Sequence, residues 1–341
     1  MIDEKRKKKL IWQVPFLILL IVGTVLIIRQ QQAIPYQYNE GMVFGTFYKV
    51  TYQCDSDLHE SIRHELDVVD NSLSPFNPNS VITAVNENRP VKLDAYFKEV
   101  FEKAMTVSVQ TEGAFDITVA PLVNAWGFGF KSGQQPTKHT VDSLRAIIGF
   151  QKVKLSEGRV VKADPRMMLD CSAIAKGYGS DMVARLLQRR GVTNFMVEIG
   201  GEVVTRGISP KRVPWRIGVT KPVDDSLSIS NELQTVLNVT DRAMATSGNY
   251  RNFYYKEGKK YAHTIDPKTG YPVQHSLLSA TVLAADCATA DAYATSFMVM
   301  GIERAQVFLD KHPELMAYFI YADGNGGNAV WFSPSLKDKI K

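Results

Sequence analysis

Trp215-Arg216-Ile217-Gly218-Val219, Leu233-Gln234-Thr235-Val236-Leu237-Asn238-Val239 and Ser279-Ala280-Thr281-Val282-Leu283-Ala284 are short β-branched or apolar runs bounded by turn residues. Each reads as a strand, and no helical pattern separates them. Parallel neighbours need a long crossover, usually a helix, whereas antiparallel ones do not. The stretch therefore predicts an α+β fold with mixed, largely antiparallel sheets and packed helices, not a doubly wound parallel one. Further strand signals lie at 48–52, 194–199 and 316–321. Helical spacing recurs at Leu58, Ile62, Leu66 and Val69, and at Phe97, Phe101, Ala104 and Val107. Residues 181–187 read as a helix body closed by Arg189, Arg190 and Gly191, a basic last turn and a C-terminal glycine.

The amino terminus has a different composition. Residues 3–9 read Asp-Glu-Lys-Arg-Lys-Lys-Lys, and residues 10–28 carry no charge, with Gln13 and Thr24 among apolar side chains. At about 1.5 Å per residue, roughly 19 residues nearly span a ~30 Å hydrocarbon core. The exit, Arg29-Gln30-Gln31-Gln32-Ala33, is a poor cleavage site, which favours a retained anchor over a removed signal peptide. The expected organisation is a basic cytoplasmic segment (1–9), one membrane-spanning helix or uncleaved signal (10–28), a linker (29–40) and a domain from 41 to 335. The positive-inside rule then puts the domain on the periplasmic side of the cytoplasmic membrane. Of 40 basic and 35 acidic residues, the first 29 positions hold six and two, leaving 34 against 33. That balance excludes a nucleic-acid footprint on the domain. Three cysteines, Cys54, Cys171 and Cys287, make no disulfide framework, although a Cys171–Cys287 bridge is open on sequence alone.

Several short segments carry chemistry. Asp291 and Thr295 sit four apart in a stretch of helix formers, so both oxygens share one face and can take two positions on Mg²⁺. The plainer alternative is a threonine bonded to its own helix and a solvated aspartate. Leu169 and Asp170 end a strand-like run, small residues follow, and Lys176-Gly177 leads into a helix. That places N–H groups and a lysine at an anion site, or forms an ordinary turn. Gly200-Gly201 after a strand, Thr246-Ser247-Gly248-Asn249-Tyr250 as a polar turn, and His263 before Asp266-Pro267 and Thr269-Gly270 are each individually weak.

Their order is the stronger signal. Gly45-Thr46-Phe47-Tyr48, Ser80 with Asn86, Gly113-Ala114-Phe115-Asp116-Ile117-Thr118, Trp126-Gly127-Phe128-Gly129 and Asp170 with Ile174-Ala175-Lys176-Gly177-Tyr178 come first. Glu198-Ile199-Gly200-Gly201-Glu202, Thr246 to Arg251, His263 to Gly270 and Ala290-Asp291 with Thr295 complete the series. In this arrangement the chain resembles the ApbE family of flavin transferases, which move FMN from FAD onto a protein threonine. The resemblance implies an ApbE, T-fold-like architecture with FAD as substrate and Mg²⁺ as cofactor. It implies that Phe44 and Phe76 flank the flavin, that Ala114, Phe115, Asp116 and Asp170 hold FAD in a pocket lined by Thr264, and that Lys176 meets its phosphates or neighbouring polar groups. Ala173 through its backbone oxygen, Asp291 and Thr295 would bind Mg²⁺, and the acceptor would belong to a flavin-dependent electron-transfer complex. The chain departs from the family where Phe44, Phe76 and Asn79 stand in place of the usual Met, Tyr and Asp. Cys171 and Ser172 replace a frequent Leu and Gly, and the lipid-attachment cysteine of many members is missing. Phe76 keeps an aromatic face but lacks a hydroxyl.

The implied reaction is attack by a threonine hydroxyl on the FMN-side phosphorus, with AMP leaving. His263 and Asp291 are the catalytic candidates, His263 because an imidazole with a pKa near ~6.5 suits proton transfer. Two rivals share the residues: an FAD pyrophosphatase that uses water, and a membrane-tethered flavin carrier, for which a metal pair would be superfluous. A Cys171–His263 nucleophile pair is disfavoured because the cysteine sits among apolar neighbours. Protease protection on intact cells tests the topology: residues after Gln32 should be cleaved from outside the cytoplasmic membrane, and cleavage only after lysis would reverse the orientation.

Overall fold

The computed structural model describes residues 4–129, 136–222, 232–249, 253–256, 259–325 and 327–340. Tyr250 and Arg251, part of the motif beginning at Thr246, lie outside the described residues. Helix α1 (Glu4–Ala33) precedes a hairpin of β1 (Tyr36–Val43) and β2 (Thr46–Gln53). Next come α2 (His59–Leu73), α3 (Val81–Asn86), α4 (Ala95–Gln110), α5 (Ala120–Ala125) and α6 (Lys138–Ile147). A small hairpin of β3 (Val153–Ser156) and β4 (Arg159–Lys162) leads to α7 (Ala175–Arg189), β5 (Phe195–Ile199) and β6 (Glu202–Arg206). The decisive stretch contains β7 (Trp215–Thr220), β8 (Leu233–Val239), β9 (Arg242–Gly248), β10 (Phe253–Lys256), β11 (Lys259–Ala262) and β12 (Leu277–Ala284). Helices α8 (Cys287–Met300) and α9 (Ile302–Leu309) and strands β13 (Met316–Ala322) and β14 (Asn328–Phe332) complete the order.

Eight strands form one sheet in the order β1-β2-β5-β6-β9-β12-β13-β14. Every neighbouring pair in it is antiparallel, as the helix-free stretch predicts. Helices α2, α4, α7 and α8 bury their apolar stripes with one another and with the sheet. Val69, Leu73, Phe97, Phe101, Tyr178, Phe297 and Phe319 belong to a single core there. The β7–β8 hairpin closes the other face over Val203, Met244, Leu283 and Ile320. A satellite cluster of Leu122, Trp126, Val141, Ile147 and Ile265 holds α5 and α6 beside the 263–270 segment.

Three local readings are corrected. Residues 167–170 are not strand. Instead, both ends of the Asn86 carboxamide grip the Leu169 backbone, with Nδ2 donating to Leu169 O at 2.9 Å and Oδ1 accepting from Leu169 N–H at 2.6 Å. Thr246, Ser247 and Gly248 are not a turn but the end of β9, paired with Thr281, Ala280 and Ser279 of β12. All three cysteines are free, so Cys171 and Cys287 do not bridge.

Helix α1 presents an apolar surface with little to cover it, from Val14 at 46% exposure through Leu19 at 70% to Ile28 at 43%. Among the described residues no helix is long and apolar enough to cross a membrane. Side chains of α1 are described only at 13–29, so the span expected at 10–28 falls partly outside them.

Helices α7 and α8 approach so closely that only glycine fits between them. A Cβ on Gly177 of α7 would stand 2.4 Å from the carbonyl oxygen of Cys287 at the start of α8, a backbone atom that cannot swing aside. Gly177→Ala should therefore cost about 1–3 kcal/mol, the scale of core overpacking, and lower the melting temperature measured by circular dichroism. An unchanged melting curve would show that the two helices separate without penalty.

Candidate active site

The helix termini build the floor of the site. The first N–H groups of a helix have no internal partner, and at α8 those of Cys287, Ala288 and Thr289 are all met by carboxylates. Asp181 of α7 accepts Cys287 N–H at 2.8 Å on Oδ1 and Ala288 N–H at 2.9 Å on Oδ2. Asp286, the N-cap, accepts Thr289 N–H at 2.9 Å through its side chain, and its carbonyl takes the first regular helical bond, from Ala290 N–H at 3.2 Å. Lys103 balances that acidic corner, 3.1 Å from Asp286. With α8 fixed end-on against α7, Asp291 lies one turn inside, buried at 3% exposure, and its Oδ2 accepts Gly177 N–H at 3.1 Å. One turn further, Thr295 Oγ1 lies 3.1 Å from Ser247 Oγ of β9. The plainer reading of this pair is overturned, since Asp291 faces protein and Thr295 meets the sheet.

Lys176, in the first turn of α7, reaches Glu202 at the start of β6, with Nζ 2.6 Å from Oε1. Gly200 and Gly201 make the preceding turn with φ of +61° and +103°, and a Cβ on Gly200 would be 2.8 Å from Thr46 Cγ2. Glycine is needed there both for the backbone conformation and for space. Burial, with the nearby Asp291 adding to it, raises the pKa of Glu202 against the pull of Lys176. Burial also raises that of Asp291, with Lys176 and the Gly177 N–H opposing. For Lys176 burial acts downward, but the two carboxylates outweigh it and hold the amine above its usual range.

The remaining expected residues surround this floor. Phe44 sits at φ +52° and Gly45 at +73° in the two-residue β1–β2 turn. This is the pattern of a type I′ hairpin, where asparagine is the usual first residue. A phenylalanine there is strained, and its ring packs so closely on α7 that a Cβ on Gly179 would stand 2.7 Å from it. Phe76 is 71% exposed. Asp116 is buried, with Oδ1 taking Thr118 N–H at 2.8 Å and Thr118 hydroxyl at 2.6 Å, and Oδ2 taking Phe150 N–H at 2.9 Å. Its evident work is to shape the 113–118 loop. Asp170 takes Ser172 N–H at 2.7 Å, and burial raises its pKa. Thr264 donates to Asn249 Oδ1 at 2.7 Å, and the His263 ring meets Phe128 edge-on at 6.5 Å.

Phe44, Phe76, Ala114, Phe115, Asp116, Asp170, Ala173, Lys176, His263, Thr264, Asp291 and Thr295 all line one cavity of about 1710 Å³. That exceeds the ~300–1,000 Å³ usual for small ligands and leaves room for a dinucleotide with part of a second molecule. Among the described residues no three His, Cys, Asp or Glu side chains form a metal cage. Asp291, Thr295 and Ala173 line the same cavity, where the carboxylate, the hydroxyl and a backbone carbonyl are hard oxygen donors, and burial disfavours the Asp291 charge. Such a donor set fits Mg²⁺, which keeps water and phosphate among its ligands. Sequence reasoning quoted Asn86, Glu202 and Ser247 within matching stretches but gave none of them a role, and it read Asp181 only as part of a helix body, one helical turn beyond Gly177.

The ApbE family pattern matches residues 44–319. The FAD:protein FMN transferase of Escherichia coli (strain K12) is 33% identical over 312 residues, covering 87% of both chains. Its counterpart from Vibrio cholerae serotype O1 is 37% identical over 289 residues, 81% of this chain and 85% of that one. The solved flavin transferase ApbE from Vibrio cholerae superposes with a TM-score of 0.81 at 34% identity, over 90% of this chain and 99% of the other.

Burial, with Asp286 adding to it, pushes the Asp181 pKa up to about 7, although the two N–H donors favour the ionised form. An unfolded aspartate titrates near ~3.9, so the native state binds the extra proton between these values. This group's contribution to stability is present below about pH 4 and lost as pH rises through about 7. Asp181→Asn should flatten that part of the stability-versus-pH curve in urea titrations; a difference curve level across pH 4–8 would contradict the assignment.

Proposed function

The chain belongs to the ApbE family of flavin transferases, and from that premise we propose that it moves FMN from FAD to a threonine hydroxyl of a partner protein, releasing AMP. The observation that carries this reading is the convergence of all twelve expected residues on one cavity, with Lys176, Asp291 and Thr295 at its floor. A carrier needs only a pocket for the flavin. This cavity also offers a lysine, a buried carboxylate with hydroxyl, and a histidine, the groups that phosphoryl-type transfer requires.

Mg²⁺ held by Asp291, Thr295 and the Ala173 carbonyl would supply charge neutralisation at the pyrophosphate. The chain's own groups do the rest. Lys176 contributes a fixed positive charge beside the phosphates. Phe44, braced by α7, and Phe76 at the rim present aromatic faces to the isoalloxazine. His263 takes the proton as the threonine oxygen bonds to the FMN-side phosphorus and the anhydride bond to AMP breaks. The product is a phosphodiester between FMN and the threonine, with AMP leaving as an anion.

The same reading sets the chain in the cytoplasmic membrane through α1, with the transferase domain on the periplasmic side. The acceptor is then an extracytoplasmic domain of a flavin-dependent electron-transfer complex. Support comes from the exposed apolar surface of α1 and the basic residues that precede it.

His263→Ala separates base from binding residue. Transfer, followed by acceptor mass, should slow by ~10²–10⁴-fold, the range for a general base. FAD affinity by flavin fluorescence should remain near that of the parent. Collapsed affinity with a normal rate at saturating FAD would make His263 a binding residue instead.

A further inference from the structure

Lys176 has two anionic destinations. Its stem leaves the first turn of α7 next to Gly177, whose N–H is bound by Asp291, yet its ammonium pairs with Glu202 across the cavity floor. We propose that Glu202 is a positioning residue that draws the Lys176 ammonium off Asp291 and so keeps that carboxylate open to a divalent cation. The proposal rests on the reading of Asp291 as a cation ligand.

Three observations carry it. The Glu202 side chain is 2% exposed, and its Oε2 is buried without a hydrogen-bond partner. Leaving a buried acceptor unsatisfied costs ~1–3 kcal/mol, a burden that simple packing does not need. Glu202 is also rigidly placed, paired with Ile199 across the Gly200-Gly201 turn. The lysine stem runs alongside that turn, its Cδ within van der Waals reach of the Cβ position at Gly200. Finally, the lysine stands beside a second carboxylate, since Asp291 bonds the N–H of the adjacent Gly177. A permanent ammonium without the Glu202 tether would settle on Asp291 and compete with any cation for it.

The test is Mn²⁺ binding to the full-length protein in detergent, without nucleotide, with free Mn²⁺ read by electron paramagnetic resonance. Glu202→Gln should weaken Mn²⁺ by at least about tenfold, equivalent to ~1.4 kcal/mol. Adding Lys176→Met should restore affinity to that of the Lys176→Met single variant, a rescue that a merely structural role for Glu202 would not give. Parent-like binding by Glu202→Gln, or no recovery in the double variant, overturns the proposal while Asp291→Ala still loses the ion. If Asp291→Ala binds like the parent, or the parent does not bind, the cation reading itself fails and takes the proposal with it. Should Glu202→Gln not fold, Glu202→Asp carries the same test: its carboxylate is withdrawn by one methylene, so affinity should fall and Lys176→Met should again restore it.

Discussion

The site depends on one helix terminus. Unsatisfied N–H groups at the start of a buried helix cost free energy and carry partial positive charge, and the first two residues of α8, Cys287 and Ala288, are fully buried. Asp181 meets two of these donors from a neighbouring helix, and the Asp286 side chain meets the next from the same chain segment. Because one cap comes from α7, the two helices are registered as well as packed. Gly177 lets them approach until its own N–H reaches Asp291. The lysine and the aspartate of the floor thus inherit their separation from an interaction that touches no ligand. Moving α8 by even one residue would rotate Asp291 and Thr295 by roughly 100° away from the cavity, given 3.6 residues per turn.

The sheet is legible in the sequence because its signal is local. Residues 233–239 read as a strand and form β8 over the same bounds, and 215–219 and 279–284 lie within one or two residues of β7 and β12. Alternation and turn residues survive in one dimension. β9 is not legible: Arg242–Gly248 has Ala, Thr, Ser and Gly where strands prefer bulky side chains. The neighbours β6 and β12 and the close packing of α8 over it make those small residues suitable, and none of them is adjacent in sequence. Residues 167–170 mislead in the opposite sense. Their extended backbone is pinned by Asn86, some eighty positions earlier, and no ladder is needed.

The site is legible as a set of residues and not as a mechanism. Resemblance names the residues that line the cavity, but not which of them already have partners. Asp116 spends both oxygens on Thr118 and Phe150, so its side chain organises a loop before it serves a ligand. Glu202 stands inside a matching stretch without a role, since nothing in its neighbours indicates that Lys176 will arrive from a helix 26 positions earlier.

Electrostatics explains why these charges are gathered in this order. Two buried carboxylates, Asp291 and Glu202, flank the single ammonium of Lys176, and burial raises the pKa of both, so the floor by itself offers a pyrophosphate little positive charge. A divalent cation at Asp291 would shift that balance toward positive charge. The phosphate site would then be assembled only when the ion is present, and nucleotide and cation would each strengthen binding of the other by the same factor. Holding Lys176 on Glu202 would serve that coupling twice. As proposed, it would remove a competitor from the cation's carboxylate, and it would keep a positive charge fixed on the cavity floor.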